Sequence, residues 1–383
     1  MIIEIRKAGF VNKGAELMLH AVLQKMKEKY PSATYVMAPE TRDGLVHFQK
    51  MTSLGFYPKA WLWFLGVQWG DFASLLPKRL RNMYGIVLDK DIDIVIDAAG
   101  FQYSDQWGTK QSAELAHSSK KKKKKGTKVI LLPQALGPYK DPSNQKTIKD
   151  AIKNIDLIFP RERISYNHLT ELVGESKKII QSPDFTNIVK GEIPESFDHQ
   201  NNRFCIVPNC RMIDKTSKEL SEAYLPFLIK CTKYLIQKGA KPFILIHEGA
   251  DGLGIAEKIS SAVGGVPIIS EDNPIKIKGI LSVCSGTLGS RFHGLVSALS
   301  QGVPSLATGW SHKYQMLLED YGFPEGIVDM LAEDSVTQKQ LDLIINPETN
   351  KSIQRVIQEK SEILKAQTEE MWRTVFSELK KGQ

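Results

Sequence analysis

Short β-branched runs, each closed by turn residues and followed by a helical pattern, recur along the whole chain and constrain its fold more than any other feature. The first series is IIEIR at the start, TYVMA from Thr34, IDIVIDAAG from Ile92, TKVILLPQ from Thr127, LIFPRE from Leu157 and KIIQSPD from Lys178. Such alternation predicts a parallel sheet covered by helices. A second series follows: RFCIVPN from Arg203, KPFILIHE from Lys241, VPIIS from Val266, GILSVCSG from Gly279 and PSLATG from Pro304. The expectation is therefore α/β, with two Rossmann-like domains in succession. With 383 residues, the chain also exceeds what one core normally organises.

The polar stretch GEIPESFDHQNNR, Gly191 to Arg203, has turn residues and no apolar period, as a linker should. It sets the expected domains at 1–193 and 203–345. Residues 346–383 read as one long helix whose interrupted apolar stripe, including Ile353, Ile357, Leu364, Trp372 and Val375, is expected to pack back across the domains.

Composition excludes several classes. The cysteines Cys205, Cys210, Cys231 and Cys284 show neither CxxC spacing nor a paired framework, which argues against structural zinc and a disulfide scaffold. Of the formal charge of +8, six positive residues lie in Lys120 to Lys125, read here as a solvated loop. Without that run the balance is near neutral, so no nucleic-acid partner is expected, only a mild preference for anionic ligands or surfaces. The first residues turn polar after two apolar positions, and no apolar run approaches the roughly 20 residues that span a bilayer. A cytoplasmic location is expected. The segment Phe56 to Leu76 carries Trp61, Trp63 and Trp69 and is expected to pack inside the first domain, with a lid or a lipid-interface contact as alternatives.

Chemistry concentrates in GTLGSRFHGLVSALSQGVPSLATGWSHK, Gly286 to Lys313. The apolar run GILSVCSG followed by turn residues and then helical spacing places Arg291 and His293 at a strand end just before a helix, expected to start near Leu295. Open α/β sheets bind ligands beyond the carboxyl ends of their strands, and a helix N-terminus offers N–H groups to an anion. Gly289 and Gly294 would let the backbone approach it. After a second apolar strand, Lys313 is expected to emerge on the same side, so Arg291, His293 and Lys313 compose an anion pocket.

The combination GSRFHGLVSALSQGVPSLA followed by Lys313 resembles the signature of the polysaccharide pyruvyl transferase family. AGFVNKGAELML is similar to the family's opening Gly-Asn-x-Gly-Asp-Glu turn, with Asn12, Gly14 and Glu16 in place and Ala15 where the family has Asp. IDIVIDAAGFQYSDQWG resembles a strand leading into its ligand loop, and LLPQALGPY its Gln-x-x-Gly-Pro segment. PRERISY resembles an Arg-acid-x-x-Ser element, matched by Arg161, Glu162 and Ser165, and QSPDFTN its Pro-Asp segment.

The resemblance implies a GT-B-like fold, with parallel sheets facing across a cleft that holds the active site. It further implies a transferase that takes phosphoenolpyruvate as co-substrate and a sugar diol in a glycan or lipid-linked glycan as acceptor, giving a pyruvate ketal. Peripheral contact with the inner face of a membrane stays open on that reading. For this chemistry His293 is the candidate proton carrier, since imidazole titrates closest to neutrality. Arg291 would grip carboxylate or phosphate by its fork, Lys313 would act as a compact counter-charge, and Ser290, Gly294 and Arg161, with Arg163 as a weaker substitute, would complete the donor site. Asn12, Asp97, Gln102, Asp105, Gln134, His247 and Glu248 are acceptor-side candidates, and Glu16 a candidate base or orienting group. No His, Asp or Glu cluster has ligand spacing, so neither a metal nor another cofactor is expected.

DKDID at Asp89 to Asp93 precedes a strand instead of following one and is read as structural; GADGLG, Gly249 to Gly254, is read as a flexible loop without dinucleotide or P-loop spacing. A nucleotide-sugar glycosyltransferase on the same architecture is the competing reading, and a glycan-binding protein without chemistry a third.

Overall fold

The computed structural model describes residues 1–39, 44–65, 67–247, 249–309 and 311–381. Its contacts form two compact units, one of Met1–Val11, Met18–Phe185 and Glu369–Gln383, the other of Asn12–Leu17 and Thr186–Thr368.

The first unit is built on strands β1 (Ile2–Arg6), β2 (Thr34–Met37), β3 (Tyr57–Pro58), β6 (Ile94–Asp97), β7 (Lys128–Gln134) and β8 (Leu157–Pro160), in the order β3-β2-β1-β6-β7-β8 and parallel throughout. A separate antiparallel pair joins β4 (Trp63–Phe64) and β5 (Val67–Gln68). The helices are α1 (Lys13–Lys29), α2 (Gly44–Ser53), α3 (Lys78–Met83), α4 (Lys110–Lys123), α5 (Pro142–Ile152) and α6 (Arg163–Val173). Ile3, Ile5, Val95 and Ile96 are all buried, as central strands of a sheet covered on both faces require. KIIQSPD contributes one bridge, Ile158 to Ile179, and no strand.

Two expectations for this unit are corrected. Lys120 to Lys123 form the last turn of α4 instead of a loop: lysine is a good helix former, and cations suit a helix C-terminus. Lys122 is buried, donating to the Asp89 carbonyl at 2.6 Å and pairing with its carboxylate at 3.0 Å. The tryptophan segment is not interior either, since β4, β5 and the 3-10 turn Trp69–Leu75 leave Leu65 81% and Leu75 80% exposed.

The second unit carries β9 (Phe204–Val207), β10 (Pro242–Ile246), β11 (Ile268–Ser270), β12 (Gly286–Gly289) and β13 (Ser305–Ala307), parallel in the order β11-β10-β9-β12-β13. Its helices are α7 (Arg211–Asp214), α8 (Lys218–Gln237), α9 (Gly249–Ala262), α10 (Pro274–Ser282), α11 (Phe292–Leu299), α12 (His312–Asp320), α13 (Asp334–Ile345) and α14 (Pro347–Lys380), the last continuing from Glu369 within the first unit. The core gathers Phe204, Ile206, Leu228, Leu288, Leu295 and Leu306 between sheet and helices.

The first half of GILSVCSG, Gly279 to Ser282, ends α10, whose start is capped by Asn273 with Pro274 in its first turn, and the strand is GTLG, beginning at Gly286, the last residue of that run. GADGLG opens α9 and is not a loop. The contacts divide the chain after Phe185, ahead of the 191–203 stretch, because that stretch is tied into the second unit. Glu192 donates its N–H to Ile275 at 3.1 Å, and a Cβ on Gly191 would lie 2.5 Å from the Gly279 nitrogen. Two glycines meeting backbone to backbone explain why neither carries a side chain.

Candidate active site

The carboxyl ends of the second unit's strands present Asn209 after β9, His247 after β10, Ser290 and Arg291 after β12, and Thr308 after β13. Register places them along one edge, since Gly289 pairs with Val207 on one side and Ala307 on the other.

Ser290 knits these ends together. Its N–H donates to Val207 at 3.2 Å, its hydroxyl meets Tyr224 Oη at 2.8 Å and Thr308 Oγ1 at 2.5 Å, and its carbonyl accepts from Asn209 Nδ2 at 2.7 Å and Tyr314 Oη at 2.9 Å. With no exposed surface, Ser290 fixes the turn that presents Arg291; the sequence-based role as a donor contact is corrected to a positioning one.

Arg291 is the N-cap residue of α11, which therefore starts three residues earlier than the sequence suggests, at Phe292. The Arg291 side chain makes no cap hydrogen bond to that helix start, where the first N–H groups and the positive end of the dipole lie. The Arg291 side chain is 6% exposed, with Nε 3.5 Å from the Pro208 carbonyl and Nη2 3.7 Å from Cys210 Sγ. Burial pushes its pKa down, against the raising influence of Cys210, Tyr224 and Tyr314.

His293 occupies the first turn of α11, its ring edge-to-face with Phe292 at 5.5 Å. The imidazole also lies against Gly14, where an added Cβ would come within 2.8 Å of its Cγ. Only glycine permits that approach. His247, 5% exposed, is pushed down to about 3 by burial and then by the positive fields of Arg291, His293 and Lys13, so it stays neutral at ordinary pH. A Cβ at Gly294 would meet only ordinary contacts, 3.5 Å from Arg291 Cβ and 3.7 Å from His247 Cδ2, so the fold itself does not demand glycine there.

Lys313 lies in the first turn of α12 and not directly at a strand end. Its ammonium sits 5.7 Å from the Phe292 ring centre and 5.3 Å from that of Tyr314, the two rings being 6.0 Å apart. Lys313 thus joins the aromatic pair that flanks His293 and supports Ser290.

The segment Asn12–Leu17 belongs to this unit and adds Lys13, which pairs with buried Glu16 at 2.9 Å and with Asp272. The sequence reading passed over Lys13, although its i,i+3 relation to Glu16 was a visible signal. Asn209, Tyr224 and Tyr314 were missed as well; Asn209, directly behind a strand, obeyed the same strand-end rule that singled out Arg291. Asn12, exposed, uses its side-chain oxygen to cap α1, accepting from Gly14 at 2.8 Å and Ala15 at 3.3 Å.

The remaining candidates lie in the first unit. Asp97 has no exposed surface and is consumed by Tyr103 at 2.7 Å, Arg6 at 3.1 Å and the Ala99 N–H at 3.2 Å, so it is structural and no acceptor ligand. Arg161 is buried in an ion pair with Asp184 at 3.1 Å, beside Glu162, which caps α6. Gln134 ends β7 fully buried, and Gln102 follows β6 half-buried. Asp105 ties loops by accepting from Asn144 at 2.8 Å and Asp141 at 3.1 Å. Glu248 lies outside the described residues. Among the described residues no group of three or more His, Cys, Asp or Glu side chains is placed to hold a metal ion.

Solved structures with this architecture include HepE of Anabaena in complex with UDP and glucose, 11% identical, at TM-score 0.58 over 98% of this chain and 99% of that one. UDP-GlcNAc 2-epimerase from Neisseria meningitidis bound to UDP-GlcNAc is 12% identical, at TM-score 0.55 over 94% and 97%. The corresponding epimerase of Methanocaldococcus jannaschii is 10% identical, at TM-score 0.55 over 93% and 97%. Identities this low show the fold alone, that of the GT-B class. The family model for polysaccharide pyruvyl transferase matches residues 12–312, from the Asn12 turn to the start of α12, and the chain belongs to that family.

Proposed function

We propose that the strand ends of the second unit bind phosphoenolpyruvate and that this transferase joins its pyruvyl group to two hydroxyls of a sugar in a glycan or lipid-linked glycan. One observation carries the reading: buried Arg291 and His247 stand at strand ends of one sheet edge beside His293 and the start of α11, where burial disfavours the charged form of both. A multiply anionic donor suits a pocket that gathers an arginine, two imidazoles and a helix N-terminus.

In the reaction, the methylene carbon of the enol takes a proton and becomes a methyl group. The central carbon forms C–O bonds to both diol oxygens while its bond to the phosphate oxygen breaks. Of the two hydroxyl protons, one balances the methyl and the other leaves with phosphate. Arg291 holds the donor carboxylate or phosphate through its fork, while Lys313 and the α11 N–H groups stabilise the departing phosphate. His293 moves the proton, held in place by Gly14 and Phe292. His247, neutral, offers a hydrogen bond without adding charge. Work on a lipid-linked acceptor would place the enzyme peripherally at the inner face of a membrane.

Incubation with phosphoenolpyruvate and a panel of glycosides should release phosphate and add a pyruvyl mass to one of them. If a nucleoside diphosphate alone stabilises the protein and phosphoenolpyruvate does not, the nucleotide-sugar reading replaces this one.

A further inference from the structure

The segment from Leu62 to Tyr84 turns apolar side chains outward. Phe64, Leu65, Trp69, Phe72, Leu75 and Met83 are between 45% and 81% exposed. Phe64, Trp69 and Phe72 join in one surface: Trp69 Nε1 donates to the Phe64 carbonyl at 3.1 Å, and the Trp69 and Phe72 rings lie 5.7 Å apart. Contiguous exposed apolar area of this kind marks an interaction site.

Its shape and charge decide the partner. Leu65 sits at the turn of the β4–β5 hairpin and Leu75 at the end of the following 3-10 turn, so the most exposed residues occupy tips. Exposed Lys78 and Arg79 stand on α3 beside them. Lys121 reaches Asp71 within the patch at 2.5 Å, which brings the lysine-rich end of α4, with exposed Lys120, Lys123, Lys124 and Lys125, to the same rim. Protruding Trp, Phe and Leu ringed by cations match the boundary between anionic headgroups and acyl chains. No helix among the described residues is long and apolar enough to cross a membrane.

We propose that this surface docks the protein peripherally onto anionic lipid bilayers, apolar tips in the headgroup boundary and lysines on the phosphates. The inference rests on the reading of a membrane-associated glycan acceptor, yet its chemistry is separable from donor turnover.

The test is co-sedimentation of the full chain with vesicles of phosphatidylcholine, alone and mixed with phosphatidylglycerol. The protein should bind the anionic vesicles, at least about tenfold more weakly after Leu65→Ser with Phe72→Ser, and several-fold more weakly after Lys124→Glu with Lys125→Glu. These residues are exposed, so the variants should melt as the parent does and keep pyruvyl transfer to a soluble glycoside. Vesicle binding without turnover leaves the inference standing while the donor reading falls. Parent protein remaining in the supernatant, or binding both vesicle types equally, overturns it. So does a dimer in solution that Leu65→Ser dissolves without any vesicle binding, which assigns the surface to a second copy.

Discussion

Both units bury charge, and they set it among different neighbours. In the first unit Arg6 forks onto Glu114 at 2.7 and 2.8 Å, and Lys59 stands between Glu4 at 2.7 Å and Asp89 at 2.8 Å. Burial alone would raise the carboxyls, but the adjacent cations outweigh it: Glu114 is held down at about 2 and Asp89 lower still. Asp97, fully buried beside Arg6, is pushed up by burial, and buried Lys122 is pushed down although it pairs with Asp89, so here each disfavoured group already faces an opposite charge. At the strand ends of the second unit, burial pushes Arg291 down, and burial followed by the positive fields of Arg291, His293 and Lys13 pushes His247 down. Buried cations set against carboxylates support a fold; an arginine and two imidazoles gathered at strand ends gain from an anion.

The largest effect that sharpens this contrast belongs to His293→Ala, expected to cut kcat by roughly a thousandfold while phosphoenolpyruvate binding is nearly kept, as steady-state and binding assays would reveal. Next come paired stability measurements in denaturant. Lys59→Met strands Glu4 and takes one of the cations from Asp89, and should cost about 3–5 kcal/mol, whereas Arg291→Met should cost less. Equal losses in the two variants would break the comparison.

Gly14→Ala comes third: the new methyl displaces the His293 ring, and kcat should fall about 10–100-fold with unfolding free energy little changed. The smallest effect is in pH. His247 has its folded pKa depressed from 6.5 to about 3, so its contribution to stability is full above about 6.5 and is lost as pH falls toward 3. His247→Gln should flatten that part of the acid unfolding curve, a change on the order of a few kcal/mol at most.

Central strands such as IIEIR and DIVID were legible because sheets buried on both faces need continuous β-branched runs. GILSVCSG was misread because a short apolar run suits a buried helix as well as a strand, and the true strand GTLG hides behind glycines, Gly286 lying against the Phe204 ring. The lysine run misled through composition, since nothing local announces that Asp89, thirty residues away in sequence, will bury Lys122. At the site, residue types and strand-end placement made Arg291, His293, Lys313 and His247 visible. The depressed titration of His247 was not visible, because it comes from burial and from fields of residues distant in sequence. Nor was the commitment of Ser290 and Asp97 to internal hydrogen bonds.

The account stands most directly on calorimetric titration of phosphoenolpyruvate into the parent protein and Arg291→Ala, with UDP as comparator. It predicts saturable binding to the parent, weakened about a hundredfold or more without the guanidinium, and no competition from UDP. Unchanged phosphoenolpyruvate affinity in Arg291→Ala, or binding of UDP alone, would contradict it.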